Sequence, residues 1–212
     1  MEDAVYRPQV FDVKDLEAAR QIILTDEGEG SEIRWQHETP VVAGELTREL
    51  GLNGDSFVLD FGTGIGRLAS ALIRMHPGLS VAGVDISLSM IQLGPGYVRS
   101  QRYFAMHPSA LDRLLAAGTR FDAAFAVWVI QHVADPQLEL QRIRSALKPG
   151  TRFYLLINLA RCVPTDKGWA NDGIDVVSLL RSTFTSVTMG KVPDNLLSPE
   201  KTAAVFCATC VA

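Results

Sequence analysis

The sequence is short of cysteine, of clustered charge and of long apolar runs, and each shortage removes a class of protein. Three cysteines among 212 residues, Cys162, Cys207 and Cys210, are too few and too unevenly spaced for a disulfide framework, which fits a reducing compartment. Cys207 and Cys210 form a C-x-x-C within AAVFCATCVA, an apolar, β-prone stretch that reads as a buried strand. Residues three apart on a strand face opposite sides, so the pair reads as core and not as a metal or redox site. No apolar run reaches the roughly 18 residues of a membrane span, and the opening MEDAVYRPQV is acidic and interrupted by Pro8; a soluble, cytoplasmic chain is expected. The 20 Lys and Arg are scattered and outnumbered by 24 Asp and Glu, giving a net charge of -4. A phosphate backbone finds little attraction there, so nucleic acid is a disfavoured partner. Internal repeats and low-complexity tracts are also missing. With 47% hydrophobic residues the chain holds enough apolar surface for one ordinary domain over residues 1–212.

What is present is a regular alternation. Apolar spacing in FDVKDLEAARQII predicts a first helix, and the polar TDEGEGSE predicts a loop after it. A second helix is expected to begin at Thr39, a cap residue with Pro40 in the first turn, and to stop at Gly51. SFVLDF, LSVAGVD, RYFA, FDAAFAVWV and RFYLLIN then read as strands, separated by helices in GRLASALIRMH, SLSMIQL, PSALDRLLAAG and LELQRIRSAL. Gly94, Pro95 and Gly96 are expected to break the short helix SLSMIQL, while Asp135 and Pro136 start the helix that ends at LKPG. One more helix, GIDVVSLLRSTF, precedes two final strands, TSVTMGKV and TAAVFCATCVA, joined by a proline-containing loop. Strands apolar on both faces and alternating with helices predict an α/β fold: a Rossmann-like, doubly wound sheet of seven strands with helices on both faces. It should be mostly parallel, with the C-terminal strand antiparallel because no helix separates it from its predecessor.

Ligands of such a sheet lie beyond the carboxyl ends of its strands, where the strand order reverses. The first strand leads there through VLDFGTGIGRLA, in which Asp60 precedes glycines at 62, 64 and 66. Glycine permits positive φ and lets a ligand approach the backbone. A dinucleotide favours G-x-G-x-x-G with no acid at the strand end; here the third glycine comes one residue early, Arg67 stands where that pattern wants glycine, and Asp60 repels an anion. A ligand with a cationic portion suits the loop better, its ammonium group reaching Asp60 through water and its carboxylate meeting backbone N–H groups. Asp85 closes the next strand nineteen positions after Gly66, close to where α/β nucleotide folds keep an acid for ribose hydroxyls.

Together DFGTGIGRLA, VDISLSM, FDAAFAVWVIQHVADP and LKPGTRFYLLI resemble the successive motifs of class I S-adenosylmethionine-dependent methyltransferases of the small bacterial type, over Phe57 to Asn158. The resemblance implies S-adenosyl-L-methionine as cofactor, S-adenosyl-L-homocysteine as its product, and methyl transfer to a small-molecule O, N or C acceptor. It implies that Asp60, Gly62, Thr63, Gly64 and Gly66 line the methionine and ribose, that Asp85 binds both ribose hydroxyls with Ile86 beside the adenine, and that Ala126 and Val127 lie beneath the methionine. Many members carry Asp-Ala after the third strand to receive the adenine amino group. AMHPSAL has no acid, which leaves His107 or a backbone carbonyl to substitute. Residues 1–45 are expected to form a helical cover and residues 52–212 the cofactor-binding core.

Methyl transfer is an in-line displacement that depends mainly on near-attack placement, with a base useful where the acceptor is a hydroxyl of high pKa. His132, in VIQHV, is the candidate base by position, set against a structural or substrate-lining imidazole. In RWQHETP, Trp35 and His37 are candidates for the acceptor pocket and Arg34 for the methionine carboxylate; Trp35 as an anchor of the N-terminal helices is the equal alternative. Trp128 faces either pocket or core, and Trp169 either borders the opening or belongs to a plain surface loop. AVWVIQ lacks the acid-or-amide and paired prolines of DNA amino-methylation, and nothing accompanies Cys162 that would make it a nucleophile toward cytosine. WVIQH and INLARC lack the clustered acids of metal-assisted catechol methylation, so no metal is expected. Two other classes stay open: a non-catalytic or regulatory S-adenosylmethionine-binding module, prompted by the missing adenine acid, and an NAD(P)-dependent oxidoreductase, disfavoured by Asp60 and the glycine spacing. Oligomeric state is open too.

Overall fold

The computed structural model describes residues 4–23, 31–193, 196–197 and 199–212; residues 25–30 of the expected loop over 25–32 and part of the last loop lie outside them, while Ser31 and Glu32 open a helix. A 3-10 turn at Pro8–Phe11 leads into α1 (Leu16–Ile23) and α2 (Ser31–Leu50). There follow β1 (Phe57–Phe61), α3 (Arg67–Met75), β2 (Ser80–Val84), α4 (Leu88–Val98), β3 (Tyr103–Met106), α5 (Pro108–Ala116), β4 (Phe121–Val127), α6 (Pro136–Ala146) and β5 (Leu147–Asn158). A small hairpin, β6 (Val163–Thr165) and β7 (Gly168–Ala170), precedes α7 (Val176–Thr183), β8 (Ser186–Gly190), the single turn α8 (Pro199–Thr202) and β9 (Val205–Val211).

Seven strands form the main sheet in the order β3-β2-β1-β4-β5-β9-β8. β1 to β5 pair in parallel, and β9 runs antiparallel to both its neighbours, as the missing crossover helix requires. Strand alternation feeds two cores. Leu59, Ala124, Ala126, Phe153 and Leu155 face α5, α6 and α7, whereas Val58, Phe125, Tyr154 and Leu156 face α2, α3 and α4. Cys210 belongs to the first core and Cys207 to the second, so the C-x-x-C is split across the sheet. No helix among the described residues is long and apolar enough to cross a membrane.

The β6–β7 hairpin and α8 are not among the expected elements, and three of the expected helices differ. Asp15 caps α1 by accepting from the Ala18 N–H at 2.8 Å, so the first helix starts five residues after Phe11. α2 begins at Ser31, eight residues before Thr39, and Pro40 lies inside it. Trp35, Glu38, Thr39, Val42, Ala43, Leu46 and Leu50 are buried at helical spacing straight through Pro40, which itself sits on the exposed side. Tertiary burial therefore outweighs the lost N–H, and the hydroxyl of Thr39 donates back to the Trp35 carbonyl as a mid-helix residue instead of capping. The expected boundary at residue 45 consequently cuts a continuous helix whose second half belongs to the sheet core. α4 likewise runs through Gly94, Pro95 and Gly96 because a Cβ on Gly94 would stand 2.9 Å from the Tyr103 hydroxyl; that glycine serves close packing, not a break. The end of α2 follows the pattern: Gly51 takes φ +66 and the Leu52 N–H returns to the Thr47 carbonyl at 3.0 Å.

Candidate functional site

A cavity of about 830 Å³ opens at the carboxyl ends of β1, β2 and β4, where the strand order reverses. Asp60, Gly62, Thr63, Gly64, Asp85, Ile86, Val127, Trp128 and His132 all line it, so nine of the expected site residues meet in one place.

At the β1–β2 end the loop after β1 folds back on β2. The Gly62 and Thr63 N–H groups donate to the Val84 carbonyl at 2.7 and 2.9 Å, and the Gly64 N–H donates to Asp85 Oδ2 at 2.8 Å. These turns need φ of +80 at Gly62 and +54 at Gly64. The loop thus spends these donors on the protein and offers a ligand no nest of unused N–H groups; a Cβ on Gly62 would overlap Val129 Cγ2, so that glycine makes room for Val129. Asp60 is 3% exposed, and among the described residues only the Thr63 hydroxyl, 2.8 Å from Oδ2, hydrogen-bonds to its side chain. Burial, reinforced by the nearby Asp85 charge and opposed by the Thr63 hydrogen bond, pushes its carboxyl up to about 7. Asp85 accepts from the Gly64 and Ser87 N–H groups, at 2.8 and 2.9 Å; burial still lifts its pKa against those bonds. Ser87 caps α4 and donates to Asp12 at 2.8 Å, which ties the N-terminal segment to this end of the cavity.

The β4 end is held by side chains. Trp128 takes φ +62, a strained position for a bulky residue. Its N–H donates to the Leu156 carbonyl at 2.8 Å and its indole Nε1–H to Glu38 at 2.9 Å. Glu38 also meets Arg67 at 2.9 Å; at 2% and 4% exposure this is a buried ion pair that clamps α2 to α3. His132 donates from Nδ1 to the Cys162 carbonyl at 2.6 Å, which leaves the lone pair on Nε2, 3.2 Å from the Gln131 amide. Burial, with the Arg161 charge behind it, lowers its pKa and keeps the imidazole neutral. Arg161 was not foreseen. Its fully buried guanidinium grips Asp172 through Nε and Nη2 and donates to the Ile130 and Val133 carbonyls at 2.7 and 2.6 Å, pinning the loop that carries His132.

Several expected positions lie elsewhere. Ala126 is not on the cavity wall: strand alternation turns it into the core under α5 to α7. Gly66 is not on it either; a Cβ there would lie 2.5 Å from Val98 Cγ2, so Gly66 answers to packing. His107 caps α5, its Nδ1 3.3 Å from the Ser109 nitrogen, and it does not line the cavity. Its neighbour Pro108 does. His37 is exposed on α2 away from the cavity. Trp35 is the anchor: it is buried with Ala19, Ile65 and Met90, edge-on to Tyr97 at 6.0 Å and below the Arg67 guanidinium. The Arg34 side chain lies outside the described residues. Tyr6 and Phe11, which line the cavity, carry no signal in the sequence beyond being aromatic.

A seven-stranded sheet with a single reversed strand and a glycine-lined cavity at its switch point defines the Rossmann-like methyltransferase fold. The chain belongs to the family described as a methyltransferase domain, whose model matches residues 35–194. It is 32% identical over 110 residues to the ubiquinone/menaquinone biosynthesis C-methyltransferase UbiE of Syntrophotalea carbinolica, covering 51% of this chain and 46% of that protein. A ubiquinone biosynthesis O-methyltransferase of Coxiella burnetii is 31% identical over 121 residues, covering 56% and 50% respectively. The chain thus spans about half the length of these curated relatives. Among solved structures, the CurJ carbon methyltransferase shares the fold with a TM-score of 0.68 at 15% identity, over 97% of this chain and 61% of that one.

Proposed function

We propose that this chain is an S-adenosylmethionine-dependent methyltransferase acting on a small-molecule O, N or C acceptor. The observation that carries the reading is the convergence of Asp60, the Gly62–Gly64 turn and Asp85 on the cavity that also holds Trp128 and His132. The residues suit the cofactor. Asp60, buried with a single hydroxyl donor, has its charged form poorly supported by the protein alone, and a cationic donor such as the methionine amino group supplies the missing partner. Each Asp85 oxygen keeps a lone pair beyond its N–H bond, enough for two ribose hydroxyls.

When bound, S-adenosylmethionine supplies an electrophilic methyl group on a sulfonium and leaves as S-adenosylhomocysteine. The rest is placement. Asp60 and Asp85 fix one end of the cavity, while Val127, Trp128 and Val129 exclude water from its middle. His132, neutral with its Nδ1–H on the Cys162 carbonyl, receives the proton of a hydroxyl acceptor when that hydroxyl displaces the Gln131 amide from Nε2. The N-terminal segment and the β6–β7 hairpin act as the acceptor cover. Both C- and O-methyltransferases stand among the relatives, so the test spans acceptor types: the protein is incubated with S-adenosylmethionine and pooled phenols, amines and activated-carbon acids, and products one methyl group heavier are sought by mass spectrometry. Such products are expected in one pool. Tight cofactor binding with no product in any pool would favour the non-catalytic module instead.

A further inference from the structure

Rings from three distant segments meet beside the cavity, two of them on its wall. Phe11 comes from the N-terminal 3-10 turn, His132 from the loop after β4, and Trp169, 56% exposed, backs them from β7. Their centroids lie 5.6 Å (Phe11–His132), 5.5 Å (His132–Trp169) and 6.2 Å (Phe11–Trp169) apart, with tilts of 54° to 58°. Each ring touches the other two, so they form a packed wall and not a cage around a void. Tyr6 lines the cavity beside them, and Val129, Val133 and Leu138 add apolar surface.

The segment that carries Tyr6 and Phe11 is held in place at both ends. The Val5 N–H donates to Asp166 Oδ1 at 2.9 Å, the Asp166 N–H to the Val5 carbonyl at 3.0 Å and the Arg7 N–H to the Pro164 carbonyl at 3.0 Å, so Tyr6 forms an antiparallel bridge to Thr165 at the edge of β6. Farther along, Asp12 accepts from Ser87 and the Val13 N–H donates to Ser89 at 2.8 Å.

Charge narrows the ligand. An ammonium acceptor wants rings on several sides of it, but Phe11, His132 and Trp169 pack on one another as a single wall, and Glu139 is paired with Arg142. An anionic acceptor wants an open cation, but Arg67 is paired with Glu38, and Lys201 has an interaction of its own. Building on the methyltransferase reading, we propose that the acceptor is an uncharged, planar aromatic ring bearing the group to be methylated, seated against Phe11 and His132, and that Phe11 and Tyr6 set this preference.

The test is calorimetric titration in saturating S-adenosylhomocysteine with 2-naphthol, its saturated counterpart decahydro-2-naphthol, and choline. 2-Naphthol is expected to bind about five- to tenfold tighter than the saturated alcohol, which has no π-face to offer. Phe11→Leu, which keeps apolar bulk but loses the ring, should erase most of that margin while S-adenosylhomocysteine affinity stays within about twofold, since the substitution touches only the ring wall. Tyr6→Leu is a second variant with the same expectation. If S-adenosylhomocysteine binds but the saturated alcohol or choline matches 2-naphthol, or if the margin survives both substitutions, the proposal is overturned and the cofactor reading stands. If the wild type fails to bind S-adenosylhomocysteine, the methyltransferase reading itself falls and this proposal with it.

Discussion

At the β1–β2 end of the cavity, the facing groups sit within three residues of a strand end, and local backbone bonds hold them: Gly62 and Thr63 to Val84, Gly64 and Ser87 to Asp85. At the β4 end the wall comes from Tyr6 and Phe11, from residues of 127–139, and from Asn158 and Val205, held by side chains that cross the fold. Arg161 joins Asp172 to the Ile130 and Val133 carbonyls, and Glu38 joins Trp128 to Arg67. The first end is as rigid as the sheet register. The second depends on a few buried polar ties, so its lining can be changed without disturbing the first, a division suited to one cofactor and a variable acceptor.

Breaking a tie on the acceptor side should have the largest effect. Arg161→Met leaves Asp172 buried without its partner and frees two carbonyls, which is expected to cost about 3–5 kcal/mol in urea unfolding. What folds should still bind S-adenosylhomocysteine, because neither Asp60 nor Asp85 touches Arg161. On the other side, Asp85→Ala removes a charged acceptor from the cofactor end and should weaken S-adenosylhomocysteine about 100-fold by calorimetry. Thermal stability in the absence of ligand should change far less than in Arg161→Met.

A third comparison is made through pH. Burial raises the Asp60 carboxyl from 3.8 to about 7, so the folded protein keeps a proton that the unfolded chain releases. Between about pH 4 and about pH 7 folding therefore takes up a proton, and Asp60 makes the ligand-free protein less stable as pH rises. Asp60→Asn removes that slope: relative to wild type, the variant should gain stability from about pH 5 to about pH 7.5 in urea titrations. A wild-type-minus-variant difference independent of pH would contradict the assignment.

The same division explains what could be read from the sequence. Asp60, Gly62, Gly64 and Asp85 were legible because a strand end, a glycine turn and an acid at fixed spacing are local signals. Gly66 belongs to that motif, yet its reason is Val98 and Tyr103, which only packing reveals. Pro40 and Gly94 looked like helix boundaries; buried stripes on α2 and contact with Tyr103 overrode their local preference. Strand alternation, applied to Cys207 and Cys210, would also have turned Ala126 away from the cavity. Tyr6, Phe11, Arg161 and the β6–β7 hairpin were out of reach, since each acquires its role through contacts many positions away in the chain.

The most direct test is calorimetric titration of the purified protein with S-adenosylmethionine and S-adenosylhomocysteine, with NADH as control. The account predicts micromolar binding of both cofactor forms and none of NADH, because Asp60 faces the cavity and the glycine turn spends its donors on Val84 and Asp85. Binding of NADH with neither S-adenosyl compound bound would contradict it.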